Sequence, residues 1–593
     1  MDDLRALVDR AIHGGDDAVL GEEAMTASSW IKRPSYRVYD EPIHGYRAGV
    51  YYHGQRQTKE GYEPVDEYVC GPLYVEAQLR TRQGGGFSRL LRFRDTCGIW
   101  KEYVMPMELL CDRCEELRAK LLALGLDIDF HNRNHLPTYL LHSVPGQMLE
   151  LAQQVGWHGA HRFVLPDEVL GAPGVFYQGN QSMMAAYATM GTLEGWRDVV
   201  SSFCVGNPLM VFAVSVAFMG PLLAKIGMDG GGFHFYGDSS TGKTTALRAA
   251  ASVWGGRAYW RSWRATGNGL EAAAASYNDT LLVLDEIGEV SPREAGAIVY
   301  ALSNGQGKQR ADRLGEAREV TRWQTVILST GERTLATCML DGRQEQRAGQ
   351  EIRLLDVPVF RQHGVFDDLR GFRDGRAFSD HFRDAVTRYH GHAGRAFVRR
   401  LVADDVDLQS QLSDVYGRFL SLEGDSQERR AGKLFAVAGF AGELASHYGV
   451  TGWFPGVALE AARVVFTLWR TVRGEGNSEK RGIVARILDF IDAHGDARFS
   501  SLLGGDDKVV RDRAGWLRKR EDALEYLFTA GGMKEALSGY DLRRALDVLE
   551  AEGLLRSAAS GAREGRAISV RADGRVVKVY MIVPQPVHYA HMV

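Results

Sequence analysis

The segment Gly237–Thr244 reads Gly-Asp-Ser-Ser-Thr-Gly-Lys-Thr, and it constrains the fold of this chain more than any other segment. The aromatic run Phe233–Tyr236 before it predicts a buried strand, and the Ala-rich run Thr245–Val253 after it predicts a helix. The glycines permit a tight turn whose backbone N–H groups surround a β-phosphate, beside the positive N-terminal end of the helix. The pattern therefore predicts a nucleotide-binding α/β domain.

Two side chains of this loop have distinct predicted roles. Lys243 is expected to reach the β- and γ-phosphates of ATP, and Thr244 is expected to supply a hydroxyl to Mg²⁺. ATP and Mg²⁺ are therefore the predicted ligands. The residues expected to bind them are Gly237, Ser239, Ser240, Thr241, Gly242, Lys243, Thr244 and Thr245.

An acidic pair follows a second apolar strand. Leu281–Leu284 is apolar enough to be buried on both faces of a parallel sheet, and Asp285 and Glu286 come directly after it. Asp285 is expected to hold the Mg²⁺ shell, usually through water, because Mg²⁺ keeps most of its hydration. Glu286 is expected to polarise the attacking water. Together with the phosphate loop, this pair predicts a site of nucleotide hydrolysis.

A third strand, Trp323–Leu328, ends at Ser329-Thr330-Gly331-Glu332. If this strand lies between the two nucleotide-contacting strands, its polar end meets the γ-phosphate and the attacking water. Thr330 is the first candidate for this sensor role, and Ser329 is the second. The alternative is an ordinary turn at the end of a strand.

Basic residues precede that strand in a glycine-containing segment. Lys308, Arg310 and Arg313 lie in the segment 305–314. In ring ATPases an insert at this point projects into the central pore, where positive side chains can hold a nucleic-acid backbone. These three residues are therefore expected to contact DNA. The alternative is a solvated loop.

Two arginines precede the last apolar strand of the same region. An arginine from a neighbouring subunit can stabilise the charge on a transferring phosphoryl group. Arg353 is the first candidate for this role and Arg347 is the second. A surface salt bridge is the alternative for either residue taken alone.

The C-terminal region combines an amphipathic helix with a basic hairpin. Ser538 is predicted to cap a helix whose apolar face carries Leu542, Leu546 and Leu549, and two strands surround the turn at Asp573-Gly574. A helix followed by a basic hairpin is typical of winged-helix domains, which bind DNA or contact proteins. If the domain binds DNA, the expected contacts are Arg543, Arg544, Arg571 and Arg575.

Composition limits the remaining possibilities. A chain of 593 residues is too long for one core, and a net charge of −4 restricts nucleic-acid binding to local basic patches. Six irregularly spaced cysteines favour a reducing, cytoplasmic location. Cys111 and Cys114 lie in a predicted helix at 107–126. Cysteines packed on a helix are favoured there over a zinc site completed by Cys70 and Cys97.

No membrane segment is expected. The N-terminus lacks the apolar stretch of a signal peptide. Val211–Leu223 is apolar, but it is short for a bilayer span and is interrupted by Gly220-Pro221. This stretch is predicted to be a buried helix that leads into the nucleotide domain.

Several segments together resemble a known family. The chain is similar to the helicase-like family called domain of unknown function 927, from about residue 45 to about residue 400. Members occur on phages, plasmids and other mobile elements, and they are grouped with the superfamily-3 and MCM-like AAA+ helicases. The segments that carry the resemblance are the phosphate loop, Gly156-Trp157-His158, Phe163–Pro166, Leu284–Glu286, Ser329–Glu332 and Ala348–Arg353.

The resemblance implies a hexameric ring that binds single-stranded or forked DNA and unwinds DNA during replication of a mobile element. It further implies Lys243 and Thr244 as the Walker A pair, Asp285 and Glu286 as the Walker B pair, Thr330 as sensor 1 and Arg353 as the arginine finger. Two alternatives remain open. One is a DNA-binding initiator or loader that uses ATP as an assembly switch, and the other is a protein-remodelling ATPase.

The predicted fold class is multidomain. It comprises an α+β N-terminal domain with one antiparallel sheet, an α/β P-loop core of the AAA+ type, a helical region and a C-terminal winged helix. The predicted boundaries are 1–40 for an N-terminal helix and connector, 41–185 for the α+β domain, 186–365 for the core, 366–475 for the helical region and 481–593 for the winged helix.

Overall fold

The computed structural model divides the chain into two compact units. The first ends at residue 151 and includes residues 174–176, and the second comprises residues 152–173 and the chain from residue 177 onward. The structure describes residues 31–585 except 44, 60, 83, 112, 181, 310–319, 343–351, 361, 405–406, 420–425, 474–477, 503–509, 521–522 and 557–565.

The first unit contains two sheets rather than the single antiparallel sheet expected. An antiparallel sheet consists of Ser35–Tyr39, Gly49–Thr58 and Gly61–Cys70. The second sheet has the strand order Val175–Tyr177, Met148–Ala152, Leu73–Arg80, Ser88–Arg94, Trp100–Pro106. It is mixed, because Leu73–Arg80 pairs in parallel with Met148–Ala152.

The first unit does not contain the single helix predicted at 107–126. Met107–Leu110 is a short 3₁₀ turn and Glu115–Ala123 is an α-helix; between them, Cys114 has a left-handed backbone with φ of 54°. A further helix spans His135–His142. Cys70 and Cys114 are buried in the apolar core of this unit, whereas Cys97 and Cys111 are exposed. The buried cysteines therefore act as core side chains.

A parallel five-stranded sheet lies at the centre of the second unit. Its strands are β1 (Gly231–Tyr236), β2 (Arg261–Ser262), β3 (Leu281–Asp285), β4 (Val326–Gly331) and β5 (Leu354–Pro358). Their spatial order is β2-β3-β4-β1-β5. All residues of β1 and β4 are buried, as their continuous apolar sequences require in a sheet covered on both faces. Strand β4 lies between β1 and β3, which is the arrangement that the sensor prediction needs.

Helices surround this sheet. They are Ser182–Ala186, Leu193–Trp196, Ser202–Cys204, Pro208–Ile226, Lys243–Ala251, Gly267–Ser276, Ala295–Asn304, Leu335–Asp341, Gly375–Arg388, His392–Ala403, Leu408–Phe419, Ser426–His447 and Val457–Arg473. A π-helical turn at Arg197–Ser201 joins two of them, and Ile287–Glu289 is a 3₁₀ turn. The last two long helices pack against Pro208–Ile226.

Pro208–Ile226 is longer than the apolar stretch singled out in the sequence. The helix has 19 residues and continues through Gly220-Pro221, so these two residues do not interrupt it. Among the helices that the structure describes, it is the one that is long and apolar enough to cross a membrane. However, 83% of its most apolar 18-residue stretch is buried inside the protein. A Cβ on Gly220 would lie 2.6 Å from the carbonyl oxygen of Thr280, so glycine permits the close approach of this helix to the chain before β3. The helix is buried, as predicted.

The Gly156-Trp157-His158 motif attaches a small sheet to the core. This sheet consists of Gly156–Trp157, Arg162–Val164 and Val169–Gly171. The backbone N–H of Trp157 donates to Asp279 Oδ2 at 2.9 Å, and its indole Nε1 donates to the Pro221 carbonyl at 2.8 Å. The unit boundary therefore differs from the expected domain boundary at residue 185, because residues 152–173 pack with the core.

Asp279 makes the stability of this attachment depend on pH. Burial raises the pKa of its carboxyl to about 7, although hydrogen bonds from Trp157 and Asn278 oppose the shift. The folded protein then retains a proton that the unfolded chain loses near pH 4, so the free energy of unfolding is expected to fall as the pH rises from about 4 to about 7. The side chain in Asp279→Asn does not titrate, so we expect the change in the free energy of unfolding over this pH range to be smaller by up to about 4 kcal/mol. Denaturant titrations across that pH range measure it, and parallel profiles for both proteins would contradict it.

The C-terminal part begins with the helix Ser478–Arg498. A sheet follows in the order Phe499–Ser501, Gly515–Arg520, Ala523–Phe528, Arg575–Ile582, Leu555–Arg556, with Ile568–Ala572 paired to Arg575–Ile582. The hairpin predicted around Asp573-Gly574 is therefore present. Two further helices span Ala530–Ala536 and Leu542–Ala551. The second helix is capped by Asp541, whose carboxylate accepts from Arg544 N at 2.9 Å, and not by Ser538 as expected.

Candidate nucleotide site

The phosphate loop connects β1 to the helix Lys243–Ala251. Left-handed backbone conformations at Ser240 and Gly242 turn the chain back over the helix N-terminus. The ammonium of Lys243 donates to the carbonyls of Gly237 at 2.8 Å and Asp238 at 2.5 Å. Burial lowers the pKa of Lys243, whereas the surrounding carboxylates, with Glu286 the strongest, raise it. The loop thus holds a buried cation at the position expected for contact with phosphates.

Three oxygen-bearing side chains meet at the carboxyl ends of the parallel strands. Asp285 Oδ1 accepts a hydrogen bond from Thr244 Oγ1 at 3.3 Å and another from Thr330 Oγ1. Thr330 Oγ1 also accepts from the backbone N–H of Glu286 at 3.3 Å. The structure therefore brings together the residues predicted from three separate motifs.

The donor set at this point fits Mg²⁺. Thr244 and Asp285 offer a hydroxyl and a carboxylate, the hard oxygen ligands that Mg²⁺ binds. Among the described residues there is no cluster of three or more His, Cys, Asp or Glu side chains that could hold a metal. Such a sparse protein set suits Mg²⁺, which commonly takes its other ligands from water and substrate phosphates.

Glu286 has a strained backbone. Its φ of 60° and ψ of 81° lie in the left-handed region, which a side chain other than glycine rarely adopts. Strained conformations of this kind persist where the surrounding structure imposes them, and they concentrate at functional sites. The Glu286 carboxylate is half-buried and accepts from Gly288 N at 3.3 Å. The backbone N–H of Glu286 contacts Thr330, and the carboxylate has no ion pair among the described residues.

A buried hydrogen-bonded chain behind the site was not anticipated from the sequence. The Trp263 indole N–H donates to Ser329 Oγ at 2.8 Å, and Ser329 Oγ lies 2.9 Å from His234 Nδ1. His234 Nε2 lies 2.8 Å from the carbonyl of Arg333, and burial lowers the pKa of His234 to about 4. A neutral imidazole then donates from Nε2 and accepts from Ser329 at Nδ1. Ser329 is thus engaged inside the sheet, whereas Thr330 faces the acidic pair.

A segment after β5 supports the phosphate loop and was also missed. Val365 N donates to the Thr241 carbonyl at 2.8 Å. Gly364 has φ of +67°, and a Cβ there would lie 2.0 Å from the same carbonyl oxygen, so only glycine permits this approach. The sequence signal was a glycine followed by two apolar residues, which is too common to identify such a contact.

Arg353 lies at the opposite end of the sheet from the phosphate loop. It directly precedes β5, which pairs in parallel with β1, so it lies level with Gly231, about 20 Å along the strand from the start of the loop at Gly237. Its guanidinium stands 4.3 Å from the Tyr300 ring centre and donates to Asn304 Oδ1 at 3.4 Å. It therefore cannot contact a nucleotide bound to its own phosphate loop. Arg347 lies outside the described residues.

The base of the basic insert is held against the core. Gln306 and Arg322 form an antiparallel bridge, and Gly307 N donates to the Thr321 carbonyl at 3.0 Å. Lys308 is exposed, while its backbone N–H donates to Glu271 Oε2 at 3.2 Å. Arg310 and Arg313 lie outside the described residues. The two ends of the insert are therefore held next to each other at residues 306–307 and 321–322.

The C-terminal arginines are exposed but do not form one uniformly basic face. Arg543 and Arg544 lie on the solvent side of the helix Leu542–Ala551, and Arg571 and Arg575 lie on the hairpin. The same helix carries Asp547 and Glu550, both paired with Arg566.

Comparisons with known proteins agree with this architecture. The family model described as domain of unknown function 927 matches residues 41–322. Of the segments that carried the resemblance, Ser329–Glu332 and Ala348–Arg353 fall outside this match. A comparison with curated proteins finds no match.

Solved structures extend the similarity beyond the matched family segment. The structure described as SCCmec type IV Cch, an active helicase, has a TM-score of 0.68 at 18% identity and covers 91% of this chain and 98% of its own. This similarity shows a common fold over nearly the full length of both chains. The C-terminal region of NrS-1 aligns over 86% of this chain and 96% of its own at 7% identity, but a TM-score of 0.30 supports no argument. Over residues 41–322 the chain is therefore similar to the family called domain of unknown function 927.

Proposed function

We propose that this protein is an ATP-driven DNA translocase of the AAA+ type that unwinds DNA as a hexameric ring. The observation that carries the proposal is the strand order β2-β3-β4-β1-β5, which brings Thr330 between the phosphate loop and the acidic pair. The protein that shares the fold is described as an active helicase, which supports the same activity here. Replication of a phage, plasmid or other mobile element is the proposed setting, in the cytoplasm.

The proposed hydrolytic chemistry follows from the positions of the side chains. Lys243 binds the β- and γ-phosphates, and Thr244 and Asp285 would hold Mg²⁺, which neutralises charge on the phosphates when bound. Glu286 accepts a proton from the attacking water, and Thr330 orients that water and the γ-phosphate. Because Thr330 bridges Asp285 and Glu286, a shift of β4 would change both carboxylates together.

A ring is proposed because the candidate catalytic arginine does not reach the nucleotide of its own subunit. Arg353 is directed away from the phosphate loop of its own subunit, so a role in catalysis requires the nucleotide of a neighbour. We propose Arg353, with Arg347 as the second candidate, as the residue that stabilises transition-state charge across the interface. A subunit would then hydrolyse ATP efficiently only in the assembled ring.

DNA contact is proposed at two places. The basic insert with Lys308, Arg310 and Arg313 would line the pore, and its attachment to Glu271 would transmit motion of the core to DNA. The C-terminal sheet and helices are proposed to form a winged helix that contacts DNA through Arg543, Arg544, Arg571 and Arg575. The pairing of Asp547 and Glu550 with Arg566 reduces the negative charge of that surface.

ATP hydrolysis with and without single-stranded DNA tests this function. Wild-type protein is expected to hydrolyse ATP faster with DNA and to separate a forked duplex. Reversing the insert charges with Lys308→Glu and Arg310→Glu should abolish the stimulation. In the same variant, the slope of log DNA affinity against log salt concentration should be smaller in magnitude by about 2, because each of the two side chains would otherwise neutralise one phosphate.

The matched control reverses two charges on the helix Ser426–His447. Arg429 and Arg430 are exposed there, and Arg429→Glu with Arg430→Glu should leave stimulation and unwinding intact. Equal stimulation in both double variants would contradict pore contact. DNA binding without strand separation would favour the initiator or loader, and an ATPase indifferent to DNA would favour the protein remodeller.

A further inference from the structure

The first unit contains a cavity that the nucleotide chemistry does not use. Its volume is about 650 Å³, within the range of small-molecule sites. It opens between the antiparallel sheet, which contributes Tyr36 and Tyr52, and the helix His135–His142. All lining residues belong to the first unit, so the cavity shares no residue with the candidate nucleotide site.

Aromatic rings form the walls of this cavity. The rings of Tyr52 and His135 are stacked, with centres 4.3 Å apart and planes 22° apart. The Tyr36 ring lies 5.2 Å from Tyr52 and 5.5 Å from Tyr139. Aromatic faces attract flat ligands by offset or edge-to-face contact, so these walls favour a planar group.

Hydrogen bonds hold the rings of Tyr36 and His135 in place before any ligand binds. His135 Nε2 lies 2.8 Å from Glu67 Oε2 and donates to it, because a carboxylate can only accept. His135 Nδ1 lies 3.0 Å from the Tyr36 hydroxyl. Burial raises the pKa of Tyr36 to about 12, so its hydroxyl stays protonated at neutral pH. A wall held in place this way loses little entropy when a ligand stacks on it.

The polar groups of the lining are suited to an uncharged ligand. No Lys, Arg, Asp or Glu is among the described residues that line the cavity, whose basic side chains are His135 and His142. The hydroxyl hydrogens of Thr138 and Ser143 are donated to backbone carbonyls, so both oxygens remain able to accept. The exposed carboxamide of Asn134 offers a donor and an acceptor side by side. The lining thus fits a planar, neutral group with N–H donors and carbonyl acceptors.

We propose that this cavity binds a nucleobase. The base would stack on the aromatic wall, and its edge would pair with Asn134 and the two hydroxyl oxygens. The base comes either from a single-stranded nucleic acid or from a free nucleotide. This inference goes beyond the proposed function and does not depend on it, since it requires neither hydrolysis nor unwinding.

The test measures binding to the full chain with the ATP site saturated by a non-hydrolysable ATP analogue. The probes are a labelled single-stranded oligothymidine, an abasic oligonucleotide of the same length, and thymidine monophosphate. Tyr52→Ala removes a stacking face and should weaken binding of a thymine-containing probe about tenfold. Asn134→Ala removes an exposed amide with little risk to folding, and it should weaken binding of the same probe about fivefold. Gln147→Ala, an exposed amide outside the cavity, should have no effect.

The probes also distinguish the two sources of the base. If the cavity variants bind oligothymidine more weakly than the wild type but bind the abasic strand equally well, the bound base belongs to a nucleic-acid strand. Weaker binding of thymidine monophosphate alone identifies a free nucleotide. Equal affinities of wild type, Tyr52→Ala and Asn134→Ala for every probe overturn the proposal. A weakening that extends to the abasic strand also overturns it, because that strand has no base to stack.

Discussion

Replacing Glu286 with glutamine is expected to lower the rate of ATP hydrolysis by about 10²- to 10⁴-fold, the usual contribution of a positioned general base. Glutamine has nearly the same shape, and its oxygen can still accept from Gly288 N, so the backbone around it should be retained. ATP should still bind, because Lys243 and Thr244 are untouched. Phosphate release, binding of a fluorescent ATP analogue and separation of a forked duplex measure the three consequences.

Glu289→Gln provides the matched control. Glu289 lies in the same 3₁₀ turn, is exposed and contacts Ser262 instead of the cluster around Asp285. Its amide variant should hydrolyse ATP at the wild-type rate. If Glu286→Gln still hydrolyses ATP or unwinds DNA at the wild-type rate, Glu286 is not the base. If it no longer binds ATP, its role is structural.

Trp254→Ala is expected to destabilise the second unit by about 3–5 kcal/mol, the range for removal of a large buried aromatic side chain. The ring is fully buried, and its indole N–H donates to the Ala217 carbonyl at 2.8 Å. A Cβ on Gly394 would lie 2.6 Å from this ring, so the neighbouring helix already packs as closely as glycine allows. That helix cannot move inward to fill the cavity without disrupting its own packing.

Denaturant unfolding measures this destabilisation, with Trp100→Ala as the control. Trp100 lies in the first unit and is 37% exposed, so its removal should change stability by less than about 1 kcal/mol. Trp254→Phe should fall between wild type and Trp254→Ala, because it keeps part of the apolar surface. Equal midpoints for Trp254→Ala and Trp100→Ala would contradict the close packing around Trp254.

The nucleotide site could be predicted because its parts obey local rules. A glycine-rich loop, an apolar strand that ends in Asp285-Glu286 and a strand that ends in Thr330 each carry their own signal. Parallel strands then bring their carboxyl ends to one edge, so three distant segments converge without knowledge of their contacts.

The remaining features depend on contacts between distant segments. The predicted helix at 107–126 breaks at Cys114, where the backbone turns left-handed at a residue with no glycine-like signal. His234 looked like one residue of an aromatic strand, and its partners Ser329 and Arg333 lie about a hundred positions later. Support of the phosphate loop by Gly364 likewise requires the tertiary fold. No local pattern encodes such pairs.

The hydrogen bonds of Lys243 have a consequence for nucleotide affinity. Its ammonium is already bonded to two carbonyls of its own loop and lies 3.3 Å from Thr241 Oγ1. If ATP binds here as proposed, its phosphate oxygens must replace these acceptors, so the carbonyls of the loop compete with the ligand for the lysine. The affinity for ATP would then reflect the difference between two sets of lysine hydrogen bonds, and it would understate the strength of the lysine–phosphate interaction.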